Sequence, residues 1–305
     1  MIEIKNITKY YGDFLALDNV SFLVPKGHVL GFLGPNGAGK TTTMRILTCY
    51  ITPTSGTAEI CGFDILKNPQ EVKKRVGYLP EMNPLYSDMD VIEYLEFISN
   101  IRHINGNINK RIKEVVNICR LNNVLEKNIG ELSRGYRQRV GFAQAIIHNP
   151  EVLIMDEPTA GLDPNQANEV RELIKELKKE KTVILSTHIL SEVQAVCDSA
   201  LIINKGKIIA SGTTSELRSM VQGKEKTYIE LKSVNNADNK IKTIPGVENV
   251  VLVKEENNNF TYMIESTSDI RESVFNLAVT NGWTIIELHR EFVSLEEIFR
   301  KLTVE

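Results

Sequence analysis

The spacing of apolar positions changes along the chain, and each spacing predicts a different element. Near the start, Ile2 and Ile4 alternate with Glu3, Lys5 and Asn6, the period of a half-buried strand. Val20 to Val24 is another short apolar run, closed by the turn Pro25-Lys26-Gly27, and Val29 to Leu33 is an unbroken apolar strand. A glycine-rich loop fills 34–39, and a helix is expected over Thr41 to Thr48. Ala58 to Cys61 and Val76 to Leu79 read as further strands. From about residue 85 to 148 the period becomes helical. Val91, Ile92, Tyr94, Leu95, Phe97 and Ile98 mark one helix, and Ile112, Val115, Val116 and Cys119 mark a second. A third runs from about Gly135 to His148, where Asn149-Pro150 breaks it. Strand character returns at Val152 to Met155, Thr182 to Ser186 and Ala200 to Ile203, with a helix over 164–180 between the first two.

Strands alternating with helices predict a parallel α/β sheet. The expected organisation is an α/β core over residues 1–223, with a helical subdomain at about 85–148, followed by a small α+β domain over 224–305. The second part reads as strand 226–232, helix 236–243, strand 247–254, a turn at Asn257-Asn258-Asn259, strand 260–265, helix 268–281, strand 284–290 and an amphipathic helix 294–302. That βαββαβ order points to a ferredoxin-like domain.

Charge and composition narrow the function. The chain of 305 residues carries 36 Lys and Arg against 39 Asp and Glu, a net charge of −3. Without a basic excess it is not expected to bind nucleic acid. No stretch approaches the ~18 apolar residues of a membrane span. The start lacks the apolar segment of a secretion signal, so the protein is expected to stay inside the cell. The four cysteines, Cys49, Cys61, Cys119 and Cys197, have neither CxxC spacing nor a histidine at a zinc-site interval, and free thiols are expected.

The chemistry begins at Gly34-Pro-Asn-Gly-Ala-Gly39-Lys40-Thr41, which fits GxxxxGK[ST] between a strand and a helix. Such a loop wraps phosphate with inward N–H groups at a helix N-terminus. Lys40 would reach the β- and γ-phosphates, and the Thr41 hydroxyl would bind Mg²⁺. Val152-Leu-Ile-Met155-Asp156-Glu157 is an apolar strand ending in two carboxylates. Asp156 would hold the Mg²⁺ shell and Glu157 would polarise the attacking water. Asn204-Lys205-Gly206-Lys207 comes close to a guanine-reading motif but ends in Lys, which argues for ATP.

Leu132-Ser133-Arg134-Gly135-Tyr136-Arg137-Gln138-Arg139 resembles the signature motif of ABC-type ATPases. Asp156-Glu157-Pro158-Thr159 with Ala160-Gly161-Leu162-Asp163 is similar to their Walker B segment and D-loop, and Ser186-Thr187-His188 to their switch histidine. Tyr11, before Gly12, resembles the aromatic that stacks on adenine, with Tyr10 as the competing stacker, and Glu81 falls at the Q-loop position. The signature version, running on to Val140-Gly141, looks most like cassettes of type-2 exporters, including the gliding-motility branch.

The resemblance implies a P-loop NTPase core of RecA type that binds ATP and Mg²⁺ and hydrolyses ATP. It implies catalytic roles for Lys40, Glu157 and His188. Nucleotide contacts would come from Tyr11, Gly34, Asn36, Gly37, Ala38, Gly39, Lys40, Thr41 and Thr42, with Ser133 and Gly135 of a second cassette. Mg²⁺ would be held by Thr41, Asp156 and Glu81, where Glu replaces the usual Gln. Arg134 stands where Gly is usual and is expected to point to solvent; a cation near the γ-phosphate is the alternative. The resemblance also implies an identical second cassette and a separate integral-membrane permease at the cytoplasmic face of the membrane. A soluble mechanical ATPase without a transport role is the competing reading.

Overall fold

The computed structural model describes residues 1–104, 106–213, 215–217 and 225–291. They divide into two compact units, one over Met1–Ser215 and the other from Glu216 onward.

The first unit is built around a six-stranded sheet. Its strands are β3 (Val29–Leu33), β6 (Val76–Leu79), β7 (Val152–Asp156), β8 (Thr182–Thr187), β9 (Ser199–Asn204) and β10 (Lys207–Gly212), in the order β10-β9-β3-β8-β7-β6. All neighbours are parallel except the β9–β10 hairpin. Every residue of β3, β7 and β8 is buried, because helices cover one face of this parallel sheet, and a helix together with an antiparallel sheet covers the other. β1 (Ile2–Tyr11), β2 (Phe14–Val24), β4 (Ser55–Ile60) and β5 (Phe63–Asp64) form a second, antiparallel sheet in the order β2-β1-β4-β5.

Helix α1 (Lys40–Leu47) follows β3 through the glycine-rich loop and packs Met44, Ile46 and Leu47 into the core between these sheets. Two short helices, α2 (Pro69–Arg75) and α7 (Leu190–Val196), and the strand β10 have no counterpart in the elements expected from the sequence. The helical subdomain consists of α3 (Val91–Ile101), α4 (Ile108–Ile118) and α5 (Arg134–Ile146). Asp90 caps α3 in a full capping box with Glu93, and Asn107 caps α4. Their apolar faces and that of α6 (Pro164–Leu177) share one core with Leu153, Met155, Val183 and Leu185.

The second unit is a four-stranded antiparallel sheet. Its strands β11 (Glu225–Lys232), β12 (Val247–Glu256), β13 (Asn259–Ser266) and β14 (Thr284–Glu291) run in the order β12-β13-β11-β14. Helices α8 (Asp238–Ile241) and α9 (Arg271–Thr280) supply Ile241 and Val274 to a core with Ile229, Leu231, Tyr262 and Ile264. Both helices are shorter than the period predicts: α8 is a single turn inside the expected 236–243. The helix expected over 294–302 lies outside the described residues. Among the described residues no helix is long and apolar enough to cross a membrane.

Candidate functional site

The polar groups of the first unit converge where β3, β7 and β8 end. The backbone leaves β3 at Leu33 and turns through Gly34–Gly39 into α1. Gly39, immediately before α1, has φ +109°, and a Cβ there would stand 2.6 Å from Leu17 Cδ2 and 2.9 Å from Ala16 O. Only glycine satisfies both the conformation and the close approach. Lys40 is buried, and its Nζ donates to Gly34 O at 2.8 Å and Pro35 O at 3.3 Å. Its charge is met by Glu157, with Oε1 3.3 Å from Nζ.

Asp156 ends β7 wholly buried, and Glu157 follows with a backbone φ of +48°. Ser186, opposite on β8, fixes both. Its hydroxyl donates to Asp156 Oδ1, and Glu157 N donates to Ser186 O and Oγ at 3.1 Å each. His188, two residues beyond Ser186 and half exposed, places Nδ1 2.8 Å from Glu157 Oε2. Asp156 Oδ2 and Glu157 Oε1 are buried with no hydrogen-bond partner. Burial, and the Asp156 charge after it, push the nearby Tyr78 hydroxyl up to about 12.

These groups open into a cleft of about 460 Å³ lined by Tyr11, Phe14, Ala16, Pro35, Asn36, Gly37, Gly39, Lys40, Thr41, Thr42, Glu81, Glu157, Ala160 and His188. Gly34, Ala38 and Asp156 are buried and do not line the cleft. Tyr11 is 45% exposed at the β1–β2 hairpin; Tyr10 is equally exposed but does not line the cleft. Phe14, 63% exposed on the other arm of that hairpin, was not singled out from the sequence, and a second aromatic beside Gly12 was the signal for it.

Ser133 and Gly135 do not line this cleft. Ser133 is exposed at the N-terminus of α5, where its hydroxyl accepts from Tyr136 N at 3.4 Å. Gly135 is buried, and a Cβ there would lie 2.5 Å from Gln166 Oε1. Arg134 is exposed, yet it does not simply point to solvent as expected. Nη2 donates to Ala160 O at 2.7 Å, because the guanidinium reaches back over the turn after Glu157. Glu192 of α7 also escaped sequence reasoning. This buried carboxylate accepts from the hydroxyls of Thr159 and Thr187, so it braces the segments carrying Glu157 and His188. A glutamate in a short amphipathic helix gives no sign of that role.

A phosphate-cradling loop with a buried Lys40, and paired carboxylates at the end of β7, one strand beyond β8 in the same sheet, define a P-loop nucleoside triphosphatase. The family model described as ABC transporter matches residues 17–160, and that of the DrrA1-3-like ATP-binding protein C-terminal domain matches 212–303. The bacitracin transport ATP-binding protein BcrA of Bacillus licheniformis is 35% identical over 99% of this chain and 97% of its own length. NatA of Bacillus subtilis, an ABC transporter ATP-binding protein, is 38% identical over 70% of this chain and 88% of its own. A nucleotide-free ATP-binding cassette of an ABC transporter superposes with a TM-score of 0.65 at 29% identity, over 72% of this chain and 94% of that one. A dimeric cassette in a post-hydrolysis state bound to ADP and Pi superposes with a TM-score of 0.64 at 25% identity, over 70% of this chain and 98% of that one.

The chain belongs to the ATP-binding subunits of ABC transporters and is an ATPase of that family. The relatives support the transport role rather than soluble mechanical work, and they do not carry the narrower gliding-motility assignment.

Proposed function

We propose that this chain powers export through a separately encoded integral-membrane permease, working at the cytoplasmic face of the membrane as a head-to-tail pair of identical cassettes. The observation that carries the reading is the convergence of Lys40, Glu157 and His188 on one cleft, while Ser133 stands exposed elsewhere at a helix N-terminus. A site whose signature residues lie outside its own cleft is completed by a second chain. Residues 1–223 are the cassette in this reading, and 224–305 a regulatory domain whose deletion changes pairing or ATPase rate.

Each chain holds the nucleotide in three ways. The loop amides of Asn36 to Thr41 surround the phosphates, Tyr11 stacks on the adenine, and Lys40 exchanges its Glu157 partner for phosphate oxygens. Mg²⁺, when bound, neutralises charge on the phosphate oxygens. Thr41, Asp156 and Glu81 would hold it, and the unpartnered, buried Asp156 Oδ2 fits such a cation. Glu157 accepts a proton from the water that attacks the γ-phosphorus, as the bond to the ADP oxygen breaks. His188 holds that carboxylate in place through Oε2. Ser133 and Gly135 of the second chain bring a helix N-terminus to the γ-phosphate. The loop after Glu81 exposes Met82 (86%) and Tyr86 (54%), apolar surface that suits contact with the permease.

The test is a tagged Glu157→Gln chain pulled from detergent-solubilised membranes with ATP. The expected result is an ATP-dependent cassette pair carrying a protein with several ~20-residue apolar spans. Recovery of only ribosomal or DNA-associated proteins would overturn the proposal.

A further inference from the structure

Arg134 occupies an unusual position between two pieces of machinery. It opens α5 directly after Ser133, yet its guanidinium is spent on the turn that follows Glu157 in the same chain. Nη2 donates to Ala160 O at 2.7 Å. A Cβ on Gly161 would lie 2.3 Å from Arg134 Cζ and 2.4 and 2.5 Å from its terminal nitrogens, so the guanidinium rests on the bare face of that glycine. One turn along α5, Gln138 Nε2 donates to Pro158 O at 2.8 Å. Two side chains of one helix therefore hold two carbonyls of the turn. Ala160 N passes the restraint on, donating to Glu157 O at 3.1 Å.

Glu157 needs such restraint. Its φ of +48° is disfavoured for a glutamate and persists only where surrounding contacts impose it. Ser186 pins the start of the turn, Glu192 holds the Thr159 hydroxyl within it, and Arg134 and Gln138 hold its carbonyls. The guanidinium's charge strengthens the bond to Ala160 O.

We propose that Arg134 is a positioning residue: it latches the 157–161 turn of its own chain and so ties the placement of Glu157 to the helix end that meets the second cassette. This rests on the roles given above to Glu157 and to the head-to-tail pair. Nucleotide captured by Ser133 of one chain then steadies Glu157 of that same chain at its own cleft, a coupling between the two sites of the pair.

The experiment uses the full chain and steady-state hydrolysis of MgATP. Arg134→Ala lowers kcat by roughly ten-fold, the scale of one lost charge-assisted hydrogen bond, and leaves KM for ATP within about two-fold. Arg134→Lys recovers part of the loss, since an ammonium donates to Ala160 O but does not cover Gly161. Gly161→Ala displaces the guanidinium and, at a φ of +68°, strains the turn as well, so it loses at least as much, and in that background Arg134→Ala costs nothing further.

Mixed pairs separate the latch from a phosphate contact. With Glu157→Gln in one chain, only the site using the other chain's Glu157 turns over. The rate falls when Arg134→Ala sits in the chain that keeps Glu157. A larger fall with both changes in the same chain assigns Arg134 to the partner's phosphate and overturns the latch. Wild-type kcat in Arg134→Ala, or additive losses in the double variant, overturns it as well. If Glu157→Gln chains form no ATP-dependent pair, the head-to-tail reading fails, and the Arg134–Gly161 double variant still decides the latch.

Discussion

The six-stranded sheet of the first unit and the four-stranded sheet of the second bury their side chains by different rules. In the first unit β3, β7 and β8 are buried at every residue; in the second, β11 and β13 alternate buried and half-buried positions. A parallel sheet covered on both faces has no solvent-facing row, so its polar groups collect where the strands end. Asp156, Glu157, Ser186 and His188 stand at such ends. The antiparallel sheet spreads its polar residues along a half-buried face, and among its described residues no comparable convergence forms. Chemistry concentrates in the first arrangement, and tolerance to change is expected in the second.

The largest effect that tests this contrast is on turnover. Lys40→Ala should cut steady-state ATP hydrolysis by about 10²–10³-fold, as loss of a fixed electrostatic donor does, whereas Lys226→Ala, half-buried on β11, should leave it near wild type. A loss at Lys226 equal to that at Lys40 would break the contrast. Stability should separate next. Ile154→Ala, wholly buried in β7, is expected to cost about 2–5 kcal/mol in denaturant unfolding. Ile286→Ala, 50% exposed on β14, should stay within about 0.5 kcal/mol.

The units should also part company in acid. Burial, then the neighbouring Arg102, lowers the His148 imidazole from 6.5 to about 4. Between those values the unfolded chain binds a proton that the folded one refuses. The contribution of neutral His148 is therefore complete above about pH 6.5 and is lost as pH falls toward 4. In the second unit, hydrogen bonds from Arg271 lower Asp269 from 3.8 to about 2, so its contribution fades only as pH drops from 3.8 toward 2. Trp283, the sole tryptophan, packs on the second unit's core and reports it by fluorescence. Thermal melts by circular dichroism should soften between pH 6.5 and 4 before the Trp283 signal does, and His148→Gln should remove that early softening. The smallest effect belongs to the β12 edge: Val251→Thr, already 39% exposed, should change the unfolding midpoint by no more than about 0.5 kcal/mol equivalent.

The contrast also explains what was legible in the sequence. Continuous apolar runs such as Val152 to Met155 give strands directly, and the GxxxxGK[ST] loop between strand and helix gives the phosphate cradle. The helices with strong stripes and caps, α3, α4 and α6, fall where their periods put them. Helix α2 buries Val72 alone, and the stripe of Leu190, Val193 and Val196 on α7 spans only seven residues with no side-chain cap to mark its start, too short to stand out as a helix. Strand β10 spends three of its six residues on Ala, Ser and Gly, poor strand formers held by pairing with β9. In the site, Lys40, Thr41, Asp156 and Glu157 announce themselves by spacing. Glu192 and Ser186 do not, because their work is to hold other residues through contacts that only folding creates. Arg134 was visible as a departure from the usual signature, but its partner, Ala160, lies 26 positions away.

The left-handed backbone at Glu157 sets local stability against chemistry. A residue at φ +48° is more comfortable as glycine or asparagine, and the role proposed for it demands a carboxylate on a longer arm. Substitutions that relax the turn therefore remove the base, so drift toward a sturdier chain at this position leads to an inactive one. Glycine at this position would relieve the turn and remove the carboxylate together, so here the more stable chain and the active chain are different sequences.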